Sequence, residues 1–146
     1  MKNKRHLIIG LVVIAIIFLF SIKIYNDKRE KGLDDVISYN IASFESLIFN
    51  DGEGQFGWKT DKVEHAEKLN DFLSRYRVKR MKHSEWDTDV SKEEGFRFII
   101  YSNGKPIIAH IFEQRLLFAN DGYGYKVVNG PIDIAWMKDY IEEFKE

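Results

Sequence analysis

From Leu7 to Phe20 the chain carries no charged side chain and no polar one, and Ser21-Ile22-Lys23-Ile24-Tyr25 extends this apolar run. Nothing else in the sequence restricts its folding as much. A helix from Leu7 to Ile24 would be about 27 Å long at 1.5 Å per residue. The hydrocarbon slab of a bilayer is about 30 Å thick, so such a helix just spans it. Lys23 can reach back to the headgroups, and Tyr25 suits the interface. Residues 1–25 are therefore expected to form a short basic head and a transmembrane signal anchor, with Leu7 to Ile24 in contact with the lipid bilayer.

Two questions about this segment stay open from sequence. A cleavable signal peptide would also have a basic head and an apolar run of this length, but it needs small residues in an A-x-A arrangement. The nearest candidate, Ser21, has bulky Leu19 two places before it. An uncleaved anchor is the expectation. For orientation, Lys2, Lys4 and Arg5 precede the run while Lys23, Lys28, Arg29 and Lys31 follow it, so the positive charges do not decide. A very short basic head before an apolar run is the layout of an export signal. That points to a single-pass protein of the cell membrane with its C-terminal domain outside the cytoplasm.

The remainder divides into a polar tether, 26–32, and one domain, 33–146. With 45% hydrophobic and 14% aromatic residues the chain has the material for a packed core. The net charge of −1 gives no general attraction to nucleic acid or acidic lipid. The absence of cysteine excludes disulfides, thiolate metal sites, cysteine nucleophiles and a lipoprotein anchor.

Within the domain, Ile41 to Phe49 alternates as a strand, with Ile41, Glu45, Leu47 and Phe49 on one face. Gln55 to Lys59 reads as a short returning strand after the turn Asn50–Gly54. Asp61 and Glu64 have capping-box spacing at the start of a helix ending near Arg77. Its apolar stripe is Val63, Ala66, Leu69, Leu73 and Tyr76, with Phe72 beside it. Val78 to Lys82 is a short polar strand. Phe96–Tyr101 and Ile107–Phe112 flank Asn103-Gly104, the strongest local hairpin signal. Strands at Arg115–Ala119 and Tyr123–Val128 follow. Ile134, Met137, Ile141 and Phe144 mark a last amphipathic helix, flanked by Trp136 and Tyr140. Consecutive hairpins with two one-sided helices predict an α+β domain: an antiparallel sheet of four to six strands with both helices on one face.

No sequence motif supplies chemistry. His6, His65, His83 and His110 lack metal-ligand spacing. The acidic loop Asp87–Glu94 fails as a calcium loop, because Lys92 stands where glycine is needed and Phe98 where glutamate is needed. Asn50–Gly54 and Asn120–Gly124 share Asn-Asp-Gly-x-Gly, which is turn chemistry; neither is followed by the lysine and helix of a phosphate loop. Gly-x-Ser-x-Gly is absent. No cofactor, metal or catalytic residue is assigned. What remains is the basic segment Arg75, Arg77, Lys79, Arg80 and Lys82. It reads either as a docking site for an anionic partner, such as wall polymer, lipid headgroups or an acidic protein, or as a charged edge strand that prevents sheet-to-sheet aggregation. Trp58 and Tyr123, beside turns with Phe56, Trp86 and Tyr125, are candidate exposed aromatics.

The basic head and apolar run, the helix Val63–Tyr76, the hairpin Phe96–Phe112 and Tyr125-Lys-Val-Val-Asn-Gly-Pro131 before the last helix together give a layout over most of the chain. It resembles the small membrane-anchored, extracytoplasmic proteins of unknown function of Bacillus-type Gram-positive bacteria. The resemblance implies the location and brings no catalytic residues. The expected function is a non-catalytic binding or interaction module. Its partners would be another envelope protein or an anionic wall polymer, and not nucleic acid. The alternative is a cell-envelope hydrolase whose carboxylates come together only in space. A regulator facing the cytoplasm is a third possibility if the orientation is reversed.

Overall fold

A computed structural model describes residues 2–50, 57–85, 93–118 and 122–143. Helix α1 (Lys2–Lys28) is one continuous element. Its stretch Ile8–Lys28 is long and apolar enough to cross a membrane, with a mean hydropathy of 2.7 and no part buried in the protein. Its apolar residues are exposed on every side, including Ile8, Leu11, Ile14 and Phe18 and, around the helix, Ile9, Val13 and Phe20. A helix apolar all round is one that lipid or a protein core must cover.

The domain is α+β. After α1 come β1 (Lys31–Gly32), the single-turn helix α2 (Leu33–Val36), a 3₁₀ turn (Ile41–Ser43), β2 (Phe44–Asn50), β3 (Trp58–Thr60) and α3 (Val63–Leu73). Then follow β4 (Arg77–Arg80), a second 3₁₀ turn (His83–Glu85), β5 (Gly95–Ser102), β6 (Lys105–Phe112), β7 (Arg115–Phe118), β8 (Gly124–Val127) and α4 (Ile134–Glu143). Among the described residues eight strands form one antiparallel sheet in the order β1-β4-β8-β7-β6-β5-β2-β3. Eight strands exceed the four to six expected. The two outermost, β1 and β3, are two and three residues long. β3 falls on the returning strand expected over Gln55–Lys59, whereas β1 exists only by pairing with β4 and leaves no period-2 signature of its own.

One sheet face carries the core. Leu47 and Phe49 of β2, Phe98 and Ile100 of β5, Ala109 and Ile111 of β6 and Leu116 of β7 are buried there with Val78 of β4. Leu69, Phe72 and Leu73 of α3 and Met137, Tyr140 and Ile141 of α4 pack against them. The Trp136 ring lies flat on Phe72, centroids 3.8 Å apart at 3°, and joins the two helices. Phe49 meets the Tyr140 ring edge-on at 5.5 Å. Asn103 and Gly104 adopt φ of 53° and 68°, and Ser102 pairs with Lys105, which is the two-residue hairpin the Asn-Gly signal predicts.

The structure corrects several local expectations. Ile41–Ser43 is a 3₁₀ turn and not the start of β2, because the Asn40 side chain caps it by accepting from the Ala42 N–H. Helix α3 begins at Val63, and its N-cap position, Lys62, makes no side-chain cap bond, so Asp61 and Glu64 form no capping box. Thr60 Oγ1 instead accepts from the Lys62 N–H at 3.1 Å and bonds His65 Nδ1 at 2.9 Å. His65 thereby joins the buried stripe, while Val63 is exposed. The 26–32 segment is mostly structured: α1 runs through Lys28, and Lys31-Gly32 is the edge strand β1. Trp86, the calcium-like loop Asp87–Lys92, Asp51–Phe56, Ala119–Asp121 and Phe144 lie outside the described residues.

Candidate functional site

The basic segment leaves α3 at Ser74 and is fixed by one side chain. Asn129 accepts from the Arg77 N–H through Oδ1 at 2.6 Å and donates to the Arg75 carbonyl through Nδ2 at 2.9 Å. Held so, Arg77–Arg80 extends as β4 between β1 and β8. β4 is therefore not the edge of the sheet. β1 reaches only as far as Val78, however, pairing Gly32 with Arg77 and Lys31 with Val78. Beyond Val78 the outer side of β4 faces the end of α1, and the Arg80 guanidinium is 3.3 Å from the Asp27 carboxylate.

Between the end of α1 and the β4–β8 pair lies a cleft of about 440 Å³. It is lined by Asp27 and Lys28 from α1, Lys79, Arg80, Met81 and Lys82 from β4 and its extension, Glu85, and Lys126 from β8. The register sets Lys79 directly opposite Lys126. Five cationic residues and two acidic ones line the cleft, an excess of three positive charges. Both carboxylates are already engaged: Asp27 by Arg80, and Glu85 by the Lys126 ammonium at 3.1 Å and the Lys82 N–H at 2.8 Å. The hydrogen bond from the Lys82 backbone, with Lys126 second, pulls the Glu85 carboxyl below its usual value. Lys28, Lys79 and Lys82 form no ion pair among the described residues.

Of the residues singled out from sequence, the cleft collects Lys79, Arg80 and Lys82. Arg75 and Arg77 do not line it; the Arg75 guanidinium sits 5.9 Å from the Phe72 ring centroid. Tyr123 belongs to the neighbourhood, since the Arg80 guanidinium carbon stands 3.3 Å above its ring centroid. Trp58 does not. It lies on β3 at the other edge of the sheet, five strand spacings from β8, or about 24 Å at the usual strand separation. There it packs on Phe49 and His65, ring centroids 5.6 Å away in each case. The sequence reading missed Lys28 and Lys126 as site residues. The signal for Lys28 was its place just after the apolar run; Lys126 had none, because only the β4–β8 register brings it in.

Two other features lie beside or beyond this cleft. A shallower depression shares Met81 and Lys126 with the cleft and contains Glu93, Glu113 and Arg115. Glu93 makes a two-pronged ion pair with Arg115, through Nε at 3.0 Å and through Nη2. On the sheet face away from the helices, Ile48, Ile99 and Ile108 stand in one cross-strand row, with Arg97 and His110 paired in the next. Burial, and then the Arg97 charge, push the His110 imidazole below its ordinary value. Burial, and then Lys62, do the same to His65. No group of three or more His, Asp or Glu among the described residues is placed to hold a metal ion. Set against protein-family models, curated proteins and solved structures, the chain matches none of them.

Proposed function

We propose that the chain is a single-pass membrane protein whose domain, held outside the cytoplasm, binds an anionic partner without catalysing its conversion. The observation that carries this reading is the imbalance in the cleft beside α1. Its carboxylates are answered by cations, while Lys28, Lys79 and Lys82 have no ion-pair partner among the described residues. Like charges brought together in a cleft repel one another, and a bound anion relieves that repulsion. The orientation rests on the short basic head before the apolar run.

The binding test uses the full-length protein in zwitterionic micelles titrated with inorganic polyphosphate. Binding should be salt-sensitive, and it should be lost when Lys28, Lys79 and Lys82 are replaced together by glutamine. Equal binding by that variant refutes the cleft as the site. Orientation is checked by adding protease to intact protoplasts carrying a C-terminal tag. Loss of the tag is expected, and protection until lysis would reverse the orientation.

A further inference from the structure

We propose that the occupant of this cleft is the phosphate-bearing headgroup of an anionic phospholipid in the leaflet from which the domain emerges. The inference rests on the reading of α1 as a membrane span and gives the binding site its partner.

Height is the first argument. Ile24 is the last apolar residue of the run, and Lys28 follows it by four residues, about 6 Å along a helix. The polar layer on each side of a bilayer is about 5–7 Å deep. A cleft whose wall contains Asp27 and Lys28 therefore lies at headgroup level. Tyr25, 69% exposed one residue after Ile24, stands at the boundary where aromatic side chains gather. A wall polymer or a passing protein would have to enter this layer to reach the site, whereas a lipid phosphate is already there.

Attachment is the second. The Asp27–Arg80 pair ties β4 to α1, and only Arg29 and Glu30 separate α1 from β1. The strand that carries Lys79, with Lys82 two residues past its end, is thus held beside the span and does not sample positions far above it. Chemistry is the third. The uncommitted groups are lysines, which suit a phosphate monoanion as point charges. The cleft volume falls at the lower end of the range for small-ligand sites, which fits a headgroup without its acyl chains.

The test is native mass spectrometry of the full-length protein released from mixed micelles containing equal parts phosphatidylglycerol and phosphatidylcholine. The two lipids differ in net headgroup charge. Three juxtamembrane cations correspond to a preference on the order of 100-fold for the anionic lipid at low salt. The wild type should retain phosphatidylglycerol at about that ratio, and the ratio should decline with added salt. Combined Lys28→Gln, Lys79→Gln and Lys82→Gln should reduce it to a few-fold. A control with Lys59→Gln, Lys62→Gln and Lys105→Gln, all exposed and remote from the cleft, should keep it. Circular dichroism of both variants establishes that they fold; if the cleft variant does not, the salt dependence and Lys79 acylation of the wild type decide. Phosphatidylglycerol should protect Lys79 from amine acylation, and phosphatidylcholine should not. An unchanged ratio in a folded cleft variant, or a salt-independent ratio, overturns the proposal. Protection of Lys79 by soluble polyphosphate but not by phosphatidylglycerol overturns the lipid assignment and leaves the anion-binding reading standing. Protection by neither removes both.

Discussion

Two phenol hydroxyls hold the first turn of α3, and removing them should have a defined and modest cost. Tyr140, 1% exposed, donates to the His65 carbonyl at 2.6 Å, and Tyr39 donates to the Ala66 carbonyl at 2.8 Å. Both acceptors lie inside the helix, where the N–H groups four residues on already bond them. Tyr→Phe therefore removes one bond without orphaning a carbonyl. The expected loss is about 1 kcal/mol for each substitution, not the larger penalty of a buried unsatisfied group. For a domain of this size that is about 4 °C in Tm. Thermal melts of full-length wild type, Tyr39→Phe, Tyr140→Phe and the double variant, followed by near-UV circular dichroism, give the values. Alkali supplies an independent check. Burial, then Glu67, pushes the Tyr39 phenol up to about 12, and burial, then Tyr39 and Glu143, pushes Tyr140 higher still. Groups raised in the fold contribute stability that is complete below their unfolded value of 10.0 and is lost as pH climbs through the folded values. The double variant should thus lose less stability than wild type above pH 10. A loss above about 3 kcal/mol for Tyr140→Phe would mean that the helix carbonyl depends on the phenol. No loss at all would mean that the hydroxyl is solvated, and either result refutes the argument.

Acid should act through the histidines. His65 and His110 are both depressed below 6.5, so their stabilising neutral form is complete above that value and is lost as pH falls through the lower folded values. Tm should drop between pH 7 and pH 5, and less steeply in His110→Gln; parallel profiles would remove His110 from the account. In the sheet, a Cβ at Gly95 would lie 2.5 Å from the Ile111 carbonyl oxygen and the Phe112 ring, so Gly95→Ala should cost about 1–3 kcal/mol in urea unfolding. A midpoint unchanged from wild type would show that β6 gives way without strain.

What could be read from sequence was local. Asn103-Gly104 demands positive φ whatever surrounds it, and the hairpin stands where it was placed. The stripe Ala66, Leu69, Leu73 with Phe72 and the stripe Ile134, Met137, Ile141 face the sheet because helical period alone puts them together. What could not be read was pairing. β1 is two residues that become a strand only because Arg77 and Val78 lie alongside. His65 is buried because Thr60, five residues earlier, bonds its ring, a contact that overrides its polarity. The candidate cleft draws its cations from α1, β4 and β8, nearly a hundred residues apart in the chain. Counting charges along Arg75–Lys82 found three of the five and included two that do not line the cleft: Arg75, in the turn after α3, and Arg77, which pairs with Gly32 of β1 at the far end of β4.

The junction of α1 and β1 also limits how far the domain can travel. A loose seven-residue linker would let its ends wander by about 15 Å. Here Arg29 and Glu30 are the only residues between the helix and the sheet, and they span about 7 Å at full stretch. With α1 as a membrane span, the domain is a head set on a short rod. When the rod turns about its axis or leans, the sheet is carried with it, and the β1–β4 edge stays within a few ångströms of the helix end. Such a head cannot search for distant partners. Whatever it meets must be carried past it in the plane of the membrane or in the first layer above.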